Sequence, residues 1–247
     1  MNTVLWMTVP YIAFTSFVLG HFWRYRTDQF GWTTRSSQIH ESRLLHIGSP
    51  LFHFGLLGVF GGHVVGLLIP ESWTSAVGIS EPAYHLIAVT MGSLAGFAVV
   101  AGLTILLYRR LTVAAVRRVT TNSDKLMYLL VVGALLTGML NTLTNVSATY
   151  NYRQTISPWF RSLFSLHPAP GLMANTPWTF QLHALIALTL LAIWPYTRLV
   201  HMFSAPVGYL VRPYVVYRSR DPHKASSNRY AKAWVAPDPA PTRSRWV

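Results

Sequence analysis

Apolar side chains fill five stretches of the chain, near residues 3–23, 50–69, 84–108, 126–145 and 180–203, with polar and basic residues gathered between them. Each stretch is close to the ~20 residues that an α-helix needs to cross ~30 Å of hydrocarbon. The pattern therefore predicts an all-α protein, an integral membrane bundle of five transmembrane helices. Residues 1–220 form the five-helix membrane domain. Residues 221–247, rich in Pro, Ser, Ala and Arg, form a basic tail, disordered or laid against a partner. The connection between the last two spans contains Trp159, Phe160, Leu163, Phe164 and Leu166. It reads either as a short amphipathic helix lying on the membrane face or as an irregular loop with interfacial aromatics.

Charge agrees with this picture. Of 247 residues, 51% are hydrophobic and 11% charged, where a soluble domain carries about 25% charged residues. Arg24, Arg26, Arg35 and Arg43 follow the first span, and Arg109, Arg110, Arg117, Arg118 and Lys125 follow the third. The second connection has no Lys or Arg, the fourth only Arg153 and Arg161, and the tail is basic from Arg198 onward. The positive-inside rule then puts the N-terminus outside and the C-terminus in the cytoplasm. The net charge of +13 is explained by these span-flanking segments, which meet anionic headgroups, and not by nucleic-acid binding. The first span has no basic n-region or clear cleavage site, and is read as a retained helix. The chain has no cysteine, so iron–sulfur clusters, thiolate ligation and covalent CxxCH haem attachment are excluded within it.

Against this apolar background four histidines stand out: His53 and His63 in span two, His183 and His201 in span five. Ionisable residues inside a membrane are costly and mark function. The two spans run antiparallel, so matching depths pair His53 with His201 and His63 with His183. His183 and His201 are five turns apart, ~27 Å on one helical face, whereas His53 and His63 are ~15 Å apart and offset by about 80°. A kink at Pro195 is the natural place to absorb the mismatch. Two metal centres about 20 Å apart, each clamped by two histidines, are the economical reading, and in a helical membrane bundle the usual such centre is a b-type haem. Zinc is a lesser rival, because it favours four clustered ligands. Interhelical hydrogen bonding is the bland alternative. Gly55, Gly58, Gly61, Gly62 and Gly66 would let a flat macrocycle, or simply a neighbouring helix, approach span two. His85, beside Tyr84 at the start of span three, is a candidate to hydrogen-bond a quinone. His21, His40, His46 and His167 read as headgroup-level polar residues.

Several segments resemble one family: RYRTDQFGWTTRSSQ, SPLFHFGLLGVFGGHVVGLLIP, TTNSDK, and QLH followed by PYTRLVHMFSAPVGYLVRPY. Across about residues 1–220 the chain resembles the gamma subunit of respiratory nitrate reductase, a dihaem cytochrome b membrane anchor. The resemblance implies two haem b, an inner one on His53 and His201 and an outer one on His63 and His183. It implies quinol, expected as menaquinol, oxidised beside the outer haem near Gly62 and His63. Electrons would pass to an iron–sulfur beta subunit and then to a molybdenum-containing alpha subunit that reduces nitrate. No iron–sulfur cluster or molybdenum would reside in this chain, which would be a multi-pass protein of the cell membrane. Some family members carry a quinone-contacting lysine near the start of span three. This chain has no Lys or Arg between Arg43 and Arg109, so Tyr84 or His85 is expected to substitute. Arg198, one turn from His201, is expected to meet a propionate of the inner haem. The rivals are the cytochrome b subunit of another quinone-linked complex, of formate dehydrogenase or hydrogenase type, and a haem-free anchor or transporter.

Overall fold

The computed structural model describes residues 4–33, 35–204 and 211. The tail expected from residue 221 lies outside them.

Five helices are long and apolar enough to cross a membrane. Helix α1 (Val9–Thr27) is preceded by a π turn, Val4–Thr8. Helix α2 (Arg43–His63) runs on into a π turn, Val64–Leu68. A short α3 (Glu71–Ala76) leads to α4 (Glu81–Thr112), then a short α5 (Ala114–Arg118) to α6 (Asn122–Thr144). Helices α7 (Ile156–Phe164) and α8 (Gly171–Ala174) fill the last connection before α9 (Trp178–Ile193). Two 3₁₀ segments follow, Trp194–Tyr196 and Arg198–Ser204.

The helices begin earlier than hydropathy alone suggests, because polar residues cap them. Thr121 and Asp124 form a reciprocal capping box: Asp124 N–H donates to Thr121 Oγ1 at 3.2 Å, and Thr121 N–H to Asp124 Oδ2 at 3.0 Å. At the start of α2, Leu44 N–H donates to Glu41 Oε1 at 2.7 Å. Burial would raise the Glu41 carboxyl, but the Leu44 N–H and the Arg109 guanidinium outweigh it and hold it below its usual range.

Helix α2 packs along α4, α4 against α6, α6 against α9, and α9 against α1. Glycine makes the first of these contacts close. A Cβ at Gly102 would run into the Phe52 nitrogen and the Gly48 carbonyl oxygen, and one at Gly55 would lie 2.9 Å from Ala95 O. Gly55 and Gly58 thus serve helix packing, whereas a Cβ at Gly61 or Gly62 would meet nothing within 4 Å. Helices α2 and α9 barely touch each other along their backbones. The outward faces stay apolar and uncovered, with Phe54 at 73% and Leu129 at 69% exposure, as hydrocarbon solvent requires.

Two sequence expectations change here. The segment around Trp159 is a helix, but its apolar side packs into the protein rather than along a membrane face. Trp159 and Leu163 are buried with Trp6 and Met173, and Trp159 Nε1 donates to Trp6 O at 2.8 Å. From the same helix, Ser157 Oγ donates to Gly66 O at 2.8 Å and Arg161 to Leu67 O at 3.0 Å. These side chains satisfy carbonyls at the irregular end of α2.

The fifth span is not one continuous helix. It ends at Ile193, and Thr197 is extended, with φ −113° and ψ −179°. Pro195 removes an N–H and crowds the preceding turn. Neighbours then take the freed carbonyls. Arg24 donates to Pro195 O at 2.7 Å and Thr197 O at 2.9 Å, Ser123 to Tyr196 O at 3.1 Å, and Ser16 to Ala192 O at 2.8 Å. Broken backbone near a membrane is tolerated when its polar groups are satisfied in this way.

Several arginines that read as headgroup partners are staples instead. Arg24, Arg109, Arg110 and Arg153 are buried. Arg109 reaches the Glu41 carboxylate and the Ser37 hydroxyl and carbonyl. Arg26, Arg35, Arg43, Arg117, Arg118 and Lys125 remain exposed.

Candidate functional site

The four span histidines meet in two pairs. The ring centroids of His53 and His201 are 6.1 Å apart with planes at 73°. Those of His63 and His183 are 6.0 Å apart with planes at 29°. On α2 the two pairs are separated by ten residues, or ~15 Å of helix. His201 lies beyond the break in the fifth span, so the angular mismatch between the two helices is taken up there.

All four rings are anchored through Nδ1. His53 Nδ1 lies 2.8 Å from Ser49 O and 3.2 Å from Ser49 Oγ. His63 Nδ1 lies 2.8 Å from Val59 O, and His201 Nδ1 2.6 Å from Arg198 O. His183 Nδ1 lies 3.0 Å from Thr137 Oγ1. A carbonyl only accepts, so Nδ1 must carry the proton in the first three rings. Nε2 then keeps its lone pair, the arrangement of a metal-ligating histidine with an oriented ring. Among the described residues no three His, Asp or Glu side chains gather as a metal site. In each pair two rings face each other, His63 of α2 with His183 of α9 and His53 of α2 with His201 of the 3₁₀ segment beyond α9.

At the His63 end, Gly62 is exposed and open beside His63. One turn on, a Cβ at Gly66 would lie 2.8 Å from the Tyr152 hydroxyl and 3.3 Å from that of Tyr84. The Tyr84 and Tyr152 hydroxyls are 3.1 Å apart. Burial and the Tyr84 hydrogen bond push the Tyr152 hydroxyl up, so it stays protonated. The Arg153 guanidinium lies over the Tyr84 ring, 3.8 Å from its centroid, and pairs with Glu81 at 2.8 Å. His85, half-buried, donates from Nε2 to Val146 O at 3.2 Å, which leaves the Nδ1 lone pair of the neutral ring as an acceptor.

Arg198 makes a two-pronged pair with Asp124, Nε to Oδ1 and Nη2 to Oδ2, both at 2.7 Å. That pairing ties His201 to the capping box of α6. Reading the sequence did not single out Asp124, Thr137, Tyr152, Arg153 or the structural role of Arg24. Thr137 carried a visible signal, a polar residue followed by Gly138 within an apolar span.

Five helices long and apolar enough to cross a membrane, carrying two facing histidine pairs, are the features of a polytopic membrane protein. A model of the nitrate reductase gamma subunit family matches residues 2–220. The chain is 47% identical over 218 residues to the nitrate reductase gamma chain of Bacillus subtilis, covering 88% of this chain and 98% of that one. It is 34% identical over 226 residues to the respiratory nitrate reductase 2 gamma chain of Escherichia coli, covering 89% and 98%. It is also 54% identical over 224 residues to the nitrate reductase-like protein NarX of Mycobacterium tuberculosis, covering 90% of this chain. The chain spans about a third of the length of that last relative. The chain belongs to the nitrate reductase gamma subunit family.

Proposed function

We propose that this chain is the quinol-oxidising cytochrome b subunit of a nitrate reductase complex, holding two haem b. The observation that carries the reading is the pair of facing histidine rings at 6.0 and 6.1 Å with Nδ1 anchored. An imidazole–metal bond is ~2.0–2.1 Å, and the ring centroid lies ~1.1 Å behind Nε2, so one metal atom between two rings requires a centroid separation of about 6.3 Å. The residues fit the group: each histidine pair would hold one haem, and Gly61 and Gly62 leave open space beside His63. When bound, such haems supply one-electron chemistry between the two ends of the bundle.

The chain's own residues divide the remaining work. His53 and His201 hold the inner haem, and His63 and His183 the outer one. Gly62 leaves room for a quinol ring beside His63. Tyr152 stays protonated and, with Tyr84, presents a pair of hydroxyls for hydrogen bonding. His85 keeps a lone pair at Nδ1 and is the base suited to take a quinol proton at that end. The Arg153 cation, fixed by Glu81, stiffens Tyr84 and stands at the start of span three, where the span has no Lys or Arg before Arg109. Arg24, Arg26, Arg35, Arg43, Arg109, Arg110, Arg117, Arg118, Lys125 and Arg198 all lie at the His53 end, against Arg153 and Arg161 at the other. The positive-inside rule thus assigns the His53 end to the cytoplasm. Electrons would leave there, to an iron–sulfur beta subunit and then a molybdenum-containing alpha subunit, while protons are released outside. Arg198, already paired with Asp124, stands beside His201, where a propionate of the inner haem would lie.

The test is a reduced-minus-oxidised spectrum of the purified full chain with haem quantified, followed by reduction with menaquinol. Two b haems per chain that menaquinol reduces are expected. A folded chain without haem, or with haem that quinol leaves oxidised, would overturn the proposal.

A further inference from the structure

Three of the four span histidines lean on backbone carbonyls of their own helix or 3₁₀ segment, at Ser49, Val59 and Arg198. No side-chain substitution removes those acceptors. His183 differs, because its ring rests on another helix, α6, with Nδ1 3.0 Å from the Thr137 hydroxyl and the Ala134 carbonyl as a second, backbone partner. The Thr137 hydroxyl lies 2.7 Å from Gly133 O and 3.2 Å from Ala134 O. Both are acceptors, so the one hydroxyl proton is committed to the backbone and the oxygen can only accept from the ring. This fixes the His183 tautomer, with the proton on Nδ1 and the lone pair on Nε2. The next residue forms the rest of the seat. A Cβ at Gly138 would lie 3.0 Å from His183 Cε1, so glycine there lets the ring lie against α6.

We propose that Thr137 is a positioning residue that sets the electron-donating strength of His183, and through it the reduction potential of the His63–His183 centre. The inference rests on the haem reading above. An Nδ1–H···O bond makes an imidazole a more basic ligand, and a more basic ligand favours the oxidised metal. Thr137 is the replaceable member of the four anchors, so the chain carries a handle on one centre that leaves the other alone.

The experiment is a potentiometric titration of the full chain in solubilised native membranes, following both b haems optically, for wild type, Thr137→Val, Thr137→Ala and Thr137→Ser. Valine and alanine remove the hydroxyl acceptor and leave His183 the Ala134 carbonyl alone. Each should raise the potential of the His63–His183 haem by about a tenfold change in its reduced-to-oxidised ratio, ~59 mV for a one-electron couple. The His53–His201 haem should not move, and serine, which keeps the hydroxyl, should titrate as wild type. Unchanged potentials in both apolar variants, equal shifts at both haems, or a serine shift as large as valine's would each overturn the inference while leaving the two-haem reading intact. A wild-type chain lacking b haem would overturn the haem reading and this inference with it. Alanine, smaller than valine, cannot crowd the ring, so loss of haem from valine alone transfers the test to alanine.

Discussion

At the His53 end one histidine follows a broken helix held by the buried Arg24; at the His63 end both histidines sit on α-helix, His63 at the last residue of α2 and His183 within α9. His201 reaches its position through two 3₁₀ segments and an extended Thr197, and Arg24 captures the carbonyls that this break exposes. His183 needs no such scaffold, and instead borrows a hydroxyl and a bare glycine from α6. The ring planes differ accordingly, 73° against 29°. Two pairs built from the same residue type can therefore be disturbed separately, one through backbone support and the other through a neighbouring side chain.

The largest separation is expected from Arg24→Gln. The arginine is buried and donates to Pro195 O, Thr197 O and, at 2.8 Å, Gly31 O. Glutamine cannot span three acceptors, and each buried carbonyl left unpaired costs about 1–3 kcal/mol. A total of roughly 3 kcal/mol or more should appear as a lowered melting temperature in detergent. The haem at His53–His201 should be depleted while that at His63–His183 persists. Equal loss of both haems would mean that Arg24 supports the bundle at large and not the break.

A smaller effect, confined to the opposite end, is expected from Gly138→Ala. The new methyl would press on His183 and cost on the order of 1 kcal/mol through crowding. Replacing a mid-helix glycine by alanine returns a similar ~1 kcal/mol. The melting temperature should therefore stay near that of wild type, while the absorption bands of the His63–His183 haem alone change. A variant whose two haems both match wild type would show that the ring does not depend on this contact.

Much of this architecture can be read from residue order. The five spans follow from apolar runs of membrane length, and the two histidine pairs follow from equal depth on antiparallel helices. Pro195 signals the kink, because a proline has no N–H to give. The extent of the break is not legible, since it depends on Arg24, Ser123 and Ser16 arriving from elsewhere in the chain to satisfy its carbonyls. Arginines at span ends look alike in sequence whether they face headgroups or, like Arg109 and Arg153, fold inward onto Glu41 and Glu81. Arg198 next to His201 suggests a propionate; its partnership with Asp124 requires knowing that α6 begins beside the fifth span's end. Thr137 is a lone polar residue in a hydrophobic run until α9 is laid against it.

The most direct test of the central claim is haem content and the potential of the remaining haem in four variants: His53→Ala, His63→Ala, His183→Ala and His201→Ala. Each should retain one b haem. His53→Ala and His201→Ala should leave the same survivor, and His63→Ala and His183→Ala the other. If the variants group instead by span, or if a single substitution leaves both haems in place, the pairing of span two with span five is wrong.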